Sequence, residues 1–238
     1  MSITRTARLA ESDKTSVTTW TTTGTVTAST GDTIVVSIAR IDTNAGSNAS
    51  VVWNTSPSQS ATGAVAKLGT GGDIEVWYFV NVTGGTGTLT ITFPVADAAH
   101  AVAVSTLTSP NGAPTFTGNA TSNNATGTAV TSGSFNQSPN SGCQVFWLGA
   151  IGVNGPSGDT APTWTIPTSA GQRAGTTGGS DTTVDEGFEI DSSSLNQGLD
   201  ATLGTSRPWA AIWMTFLEPV ASAAGPTLTL LAQGVDIR

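Results

Sequence analysis

The feature that most constrains the fold is a regular alternation of apolar and polar residues in short runs. In the run TLTITF, Leu89, Ile91 and Phe93 alternate with threonines. A period of two places the apolar side chains on one face of a strand and the threonines on the other. The runs at 33–41 and 75–80 are more continuously apolar, as expected of strands that are covered on both faces. The pattern predicts a protein built from antiparallel β-sheets.

Turn residues separate these runs, and no segment carries a capped helical stripe. Ser-Pro-Asn-Gly at 109–112 separates two of the runs. The Ala-rich segment 95–104 has the composition to begin a helix, but its neighbours are strands. We therefore predict a strand there, after a turn at Pro94–Asp97. Segments 118–142 and 169–184 are rich in Gly, Ser, Thr and Asn, which predicts loops or weak edge strands.

These patterns predict an all-β fold, specifically an antiparallel, jelly-roll-like β-sandwich. We expect the sandwich domain to span residues 15–219. An N-terminal arm (1–14) precedes it, and a linker with a C-terminal arm (220–238) follows it. The side chains expected in the core are Ile34, Val36, Ile38, Val76, Tyr78, Leu89, Ile91, Val104, Phe146, Ile212 and Phe216.

Two stretches of the chain resemble each other. GDTIVVSIARIDTN at 31–44 parallels GCQVFWLGAIGVN at 142–154, and each is followed by an acidic residue and a strand, at Asp73 and Asp185. Few identities align. Two interpretations stay open: two similar Greek-key halves folded into one sandwich, or unrelated strands that merely look alike.

Charge is scarce in this chain. Charged residues make up 10% of it, against about 25% in an average domain. The net charge of −8 argues against a phosphate-binding surface, so we expect no nucleic-acid partner. Lysine occurs only as Lys14 and Lys67. Because β-proteins commonly guard their sheet edges with lysine, its scarcity indicates edges that are closed or covered by a partner, and we expect a homo-oligomer.

Candidate catalytic residues are few. His100 is the only histidine, so a Ser-His-Asp triad or a histidine metal cluster must include it. Cys143, the only cysteine, begins an apolar strand and has no activating neighbour. The chain contains no G-x-S-x-G turn, no phosphate-binding glycine loop and no CxxC pair. We therefore expect no enzymatic activity and no cofactor, and we interpret His100 as a strand or turn residue.

The segment 181–191 contains the one cluster of carboxylates. In a strand, Asp185, Glu189 and Asp191 share one face, and Glu186 points the other way. Carboxylates at this density can hold Ca²⁺, although the spacing does not fit an EF-hand loop. A solvated sheet face is the preferred interpretation. A Ca²⁺ site formed by Asp185, Glu189 and Asp191 is the alternative, and a glycosidase carboxylate pair is a third.

Seven tryptophans are candidates for a sugar-stacking platform or for the core. Those within apolar strands are predicted core residues: Trp77, Trp147 and Trp213. Trp209 follows a proline at a strand start. The tryptophans that stand beside polar residues are candidates for a half-exposed glycan platform: Trp20, Trp53 and Trp164.

The two ends differ from the middle. Arg5, Arg8 and Lys14 lie within the first 14 residues, and we expect them to dock onto an acidic partner surface. The C-terminal arm contains a strand-like alternation beyond a Gly-Pro linker, formed by Thr227, Leu228, Thr229, Leu230 and Leu231. We expect this strand to pair with the sheet edge of a neighbouring subunit, with a disordered tail as the alternative.

The chain carries neither an N-terminal apolar signal segment nor a run of about 18 apolar residues that could span a bilayer. We therefore expect synthesis in a cytoplasm and no membrane partner.

Three segments carry a resemblance to a known family: GDTIVVSIARID, DIEVWYFVNVTGGTGTLTITFP and SRPWAAIWMTFLEP. In this order, over roughly residues 15–219, they resemble β-sandwich virion proteins of tailed bacteriophages, of the head-decoration or minor structural type. Similar modules occur in some bacterial surface proteins. The resemblance implies a location in the virion, contacts with the major capsid protein or another virion protein, and no catalytic residues. The alternative is a carbohydrate- or receptor-binding module of a phage tail or bacterial surface, with a glycan as partner.

Overall fold

A computed structural model shows a chain made of antiparallel strands. It describes residues 2–41, 50–69, 72–156, 159–177 and 181–221. The strands of the first half are β1 (Thr4–Asp13), β2 (Val17–Thr21), β3 (Val26–Thr30), β4 (Thr33–Arg40), β5 (Ser50–Trp53), β6 (Gln59–Ser60), β7 (Gly63–Lys67), β8 (Asp73–Phe79), β9 (Thr83–Gly87), β10 (Leu89–Asp97) and β11 (His100–Thr108). Those of the second half are β12 (Thr115–Thr131), β13 (Phe135–Gln137), β14 (Val145–Val153), β15 (Thr163–Ile166), β16 (Ser169–Gly175), β17 (Thr183–Asp191), β18 (Leu195–Gln197) and β19 (Asp200–Leu217). The predicted all-β, antiparallel β-sandwich class is confirmed, whereas the jelly-roll connectivity stays a prediction.

The first half forms an inner and an outer sheet. The inner sheet has the order β1-β11-β4-β8-β7, and the outer sheet has the order β2-β10-β5-β6, beside the ribbon β3-β9. Strand β4 alternates between two cores: Ile34 and Val36 pack with Trp53 toward the outer sheet, and Val35 and Ala39 face the second half. This double burial explains why β4 is continuously apolar.

The second half repeats this arrangement. Its inner sheet has the order β12-β19-β14-β17-β16, with β15 paired to β19 as a sixth strand, and its outer layer is the pair β13-β18. The two inner sheets arrange corresponding strands in the same order. In each half, the first strand along the chain forms one edge, the last strand lies next to it, a central strand follows, and a hairpin completes the sheet. The sequence similarity between 31–44 and 142–154 therefore reflects equivalent places in the fold, because it covers β4 and β14.

The two inner sheets pack face to face. The core between them contains Val35, Ile74, Phe146, Ile212 and Phe216. At the sides of this stack, β1 contacts β16 and β7 contacts β12. This reciprocity is what a two-fold relationship between equivalent halves produces. The chain thus builds four layers, where the sequence had suggested that both halves contribute to one sandwich.

Most side chains expected in the core are buried, as predicted. Tyr78 is the exception: it is partly exposed, with its ring 5.2 Å from that of Phe116 and 5.8 Å from that of Phe216. Strand β10 runs through to Asp97 and β11 begins at His100, so the segment 95–104 forms strand and not helix, as predicted. The predicted turn at Pro94–Asp97 is wrong, because those residues continue β10.

The structure describes the predicted N-terminal arm and only the start of the predicted C-terminal segment. Thr4–Asp13 is not a separate arm, because it pairs with β11 from Thr4↔Thr108 to Asp13↔His100 and so completes the inner sheet. At the other end, the linker enters the described residues only up to Ala221. The predicted strand 227–231 lies outside the described residues.

Candidate functional site

The buried network between the two halves is centred on Glu186 of β17. Arg5 Nη2 of β1 donates to Glu186 Oε2 at 2.8 Å. Ser37 Oγ donates to Oε1 at 2.7 Å, and Ser105 Oγ donates to Oε2 at 3.2 Å. The Arg5 guanidinium also lies over the ring of Phe188, 4.6 Å from its centroid. Arg5 therefore joins the two halves from within, which differs from the expectation that it docks onto a partner surface.

The other two basic residues near the N-terminus also contact their own chain. Arg8 Nε donates to Thr106 Oγ1 at 2.8 Å. Lys14 Nζ donates to Asp181 Oδ1 at 3.0 Å and to the carbonyl of Thr177 at 2.9 Å. These contacts hold β1 against its own sheet and against the second half. The N-terminal charges are thus engaged in intramolecular contacts rather than presented as a free basic arm.

The carboxylates of β17 alternate between the two faces of the strand, as the sequence indicates. Glu186 faces the core between the halves, whereas Asp185 lies on the opposite face, where it is also buried and lies 3.6 Å from Arg173 Nη1. The preferred interpretation of a solvated sheet face is therefore wrong for these two carboxylates. Burial raises the pKa of Asp185 to about 7, against the opposing pull of Arg173. Burial also raises the pKa of Glu189 and that of Asp191.

The carboxylates of β17 do not form a Ca²⁺ site. Among the described residues, no three carboxylate, histidine or cysteine side chains come together as a metal site. Asp185, Glu189 and Asp191 share a strand face, but the strand spaces them along its length and Asp185 is paired with an arginine. The residues present therefore do not fit a Ca²⁺ site.

A small open cleft lies beside Asp185 at one end of the second half. Arg207 Nε donates to Asp159 Oδ2 at 2.8 Å and its Nη2 donates to Oδ1 at 3.3 Å, while Arg173 Nη2 donates to the carbonyl of Asp159 at 2.9 Å. Two arginines and two acidic side chains thus surround this small cleft. Nothing in the sequence marks Arg173, Arg207 or Asp159 as neighbours, because they come together only in the fold.

The first half also places an arginine beside two carboxylates at the equivalent end of its inner sheet. Arg40 Nη2 lies 3.0 Å from Glu75 Oε1 and 3.7 Å from Asp73 Oδ2, with all three side chains buried. Trp77 Nε1 donates to Glu75 Oε2 at 2.8 Å. Asp73 begins β8 as Asp185 lies near the start of β17, so each half places a buried carboxylate–arginine pair at the same end of its inner sheet.

His100 is enclosed in the core of the first half. Its ring centroid lies 4.5 Å from that of Trp20 and 5.0 Å from that of Phe93. Burial lowers the pKa of His100 to about 4, against the opposing charge of Asp13. Within the described residues, neither ring nitrogen has a hydrogen-bond partner. At neutral pH the imidazole is therefore an uncharged core side chain.

Two of the three tryptophans considered for a glycan platform are buried. Trp20 is 6% exposed and Trp53 is 0% exposed. The indole of Trp53 donates to the carbonyls of Val26 and Gly87, at 3.3 and 3.2 Å. The half-exposed platform is therefore wrong for these two residues, and only Trp164 of the set is partly exposed.

The single thiol lies beside the last described residues of the chain. Cys143 is buried, and its Sγ lies 3.5 Å from the carbonyl oxygen of Pro219 and 3.7 Å from that of Ser141. Glu218 is held nearby, because its Oε1 accepts from Ser109 Oγ at 2.7 Å. These contacts anchor the last described residues against the start of the second half.

Comparison with known proteins identified no relative: no family model matches the chain, and no curated protein or solved structure matches it. No helix within the described residues has the length and apolarity needed to cross a membrane.

Proposed function

We propose that this chain is a non-enzymatic structural protein of a bacteriophage virion, which decorates and stabilises the capsid as an oligomer. It acts through contacts with its own copies and with the major capsid protein or another virion protein. The proposal starts from the resemblance of the three segments described above. We further propose that each half is a jelly roll, since its chain passes between an inner and an outer layer.

The observation that carries the proposal is how the chain uses its charges. Within the described residues, five cationic side chains form ion pairs with carboxylates of the same chain: Arg5, Lys14, Arg40, Arg173 and Arg207. Exposed strand segments such as β9 and β12 carry Thr, Gly, Ser and Asn instead. Protein–protein interfaces are depleted in Lys, Glu and Asp. A protein whose exposed strands are polar but uncharged is therefore suited to contacts with other protein subunits.

Mass spectrometry of purified virions tests this proposal. We expect the protein to co-purify with heads at a fixed, large copy number relative to the major capsid protein. Absence from particles would contradict the proposal, and a few copies located at the tail would contradict the capsid location.

The alternative, a carbohydrate- or receptor-binding module, is favoured by one observation, the partial exposure of Trp164. A glycan array with the intact chain tests it. Saturable binding that is lost in Trp164→Ala, with the melting temperature retained, would favour the alternative. Absence of binding to any glycan on the array would remove it.

A further inference from the structure

Strand β12 is unlike the other edge strands of the two inner sheets. It spans 17 residues, Thr115–Thr131, and contains neither a charged residue nor a proline. The other three edges carry charge: β1 contains Arg5 and Arg8, β7 contains Lys67, and β16 contains Arg173. Charged side chains on an edge discourage pairing with another chain, and a long uncharged edge permits it.

The hydrogen bonds of β19 decide which backbone groups of β12 face outward. The amide of Asn154 donates to the carbonyl of Pro208 at 3.0 Å, so residue 208 directs its backbone groups toward β14. Because these groups alternate along a strand, residues 209, 211 and 213 bond to β12, opposite residues 125, 123 and 121. The residues between them direct their N–H and C=O groups to the open side: Ser122, Asn124 and Thr126.

One hydrogen bond supports this direction independently. The backbone N–H of Asn124 donates to Oδ1 of its neighbour Asn123 at 2.9 Å. The side chain of Asn123 thus covers an outward-facing donor. Register shifts after Phe116 and after Gly127 bound the regular part of the edge, Ala120–Gly127, and no strand among the described residues pairs with its open side.

We propose that two copies of this chain pair antiparallel through Ala120–Gly127, which joins their second inner sheets into one continuous sheet. A two-fold axis at Asn124 sets that residue opposite its own copy and sets Ser122 opposite Thr126. This register forms about six backbone hydrogen bonds, two for each facing pair, and the N–H of Asn124 exchanges Oδ1 of Asn123 for the carbonyl of its copy. The proposal rests on the proposed oligomer and names its interface.

The partner at this edge is a second copy of the chain, because the uncharged edge can pair with an identical edge without repulsion. Two-fold pairing sets equivalent segments against each other, and like charges directly opposite are destabilising. The chain as a whole carries a net charge of −8, but Ala120–Gly127 adds nothing to it. The side chains of this segment are short hydroxyls, amides and methyls, and Thr and Ser form cross-strand hydrogen bonds.

Sedimentation of the purified full-length chain tests the proposal, and it does so without the virion. We expect a wild-type dimer. Ala125→Lys places a charge on the edge, diagonal to the same charge on the other copy, and should weaken dimerisation by at least about 10-fold. The matched control is Ala10→Lys, an equally exposed change on the β1 edge, which should leave the dimer intact. Both variants should keep the wild-type melting temperature within a few degrees.

A cysteine pair tests the register. Asn124→Cys should form an intermolecular disulfide under mild oxidation, because the proposed axis brings two copies of this position within disulfide range. Ser122→Cys should not, since it faces Thr126 of the other copy. The native Cys143 is buried and should not contribute.

Three results would overturn the proposal. One is a wild-type chain that remains monomeric. Another is a dimer that persists in Ala125→Lys. The third is loss of the dimer on deletion of residues 222–238, which would make the C-terminal segment the occupant. Any of these leaves the virion location to be decided by mass spectrometry, so the two proposals fail separately.

Discussion

The guanidinium of Arg5 lies 2.8 Å from the carboxylate of Glu186, although these residues are 181 positions apart in the sequence. Arg5 belongs to the first strand of the first inner sheet, and Glu186 belongs to the second inner sheet. The pair therefore fixes how the two halves are aligned. Both side chains are almost fully buried, so each depends on the other to offset the cost of its desolvation.

Removing one partner of this pair should be strongly destabilising. Glu186→Ala leaves the Arg5 charge and the hydroxyls of Ser37 and Ser105 without their acceptor, and we expect a loss of about 3–5 kcal/mol in the free energy of unfolding. Urea denaturation measures it. Glu189→Gln, on the other face of the same strand, is the control and should cost about 0.5 kcal/mol or less. A loss as small as the control's would show that the network does not hold the halves together.

His100 should make the protein less stable in mild acid. Its pKa in the fold is about 4, below the 6.5 of the unfolded chain, so the unfolded state binds the extra proton first. This contribution to stability is complete above pH 6.5 and is lost as the pH falls toward 4. Between pH 7.5 and 5 we expect a loss of about 2 kcal/mol, measured as unfolding free energy. His100→Phe should abolish this component, and an unchanged pH dependence in the variant would exclude His100 as its source.

Asp185 should act in the opposite direction. Its pKa in the fold is about 7, above the ordinary 3.8, so the folded state holds a proton that the unfolded state has released. Stability from this group is complete below pH 3.8 and declines as the pH rises to 7, by on the order of 4 kcal/mol. Asp185→Asn should remove that decline. The variant and the wild type are compared by unfolding at pH 5 and pH 8, and a difference that does not grow with pH would contradict the prediction.

Trp53 should contribute to folding stability and should not take part in glycan binding. Trp53→Ala empties a fully buried site and leaves two backbone carbonyls without their indole donor, so we expect a loss of about 3–5 kcal/mol. The midpoint of chemical denaturation reports it. Trp164→Ala is the comparison, and its smaller burial predicts a smaller loss. Equal stability of Trp53→Ala and wild type would mean that the indole is not in the core.

The sequence could specify the strands because periodicity is a local property. Leu89, Ile91 and Phe93 alternate with threonines, and all three are buried as predicted. The alternation also separated Glu186 from Asp185 correctly, since successive side chains of a strand point to opposite faces. It could not find the cleft residues Arg173, Arg207 and Asp159, because periodicity carries no information about which strands become neighbours.

By itself the sequence determined the class of fold, the faces of its strands and the scarcity of charge. The tertiary structure alone decided that the chain forms two equivalent halves whose inner sheets pack together. It also decided that the Arg5 side chain points into the core, a direction that its position near the N-terminus does not indicate. The physical reason is that sheet order and the pairing of buried charges depend on contacts between distant segments. Local alternation sets only which face of each strand is apolar.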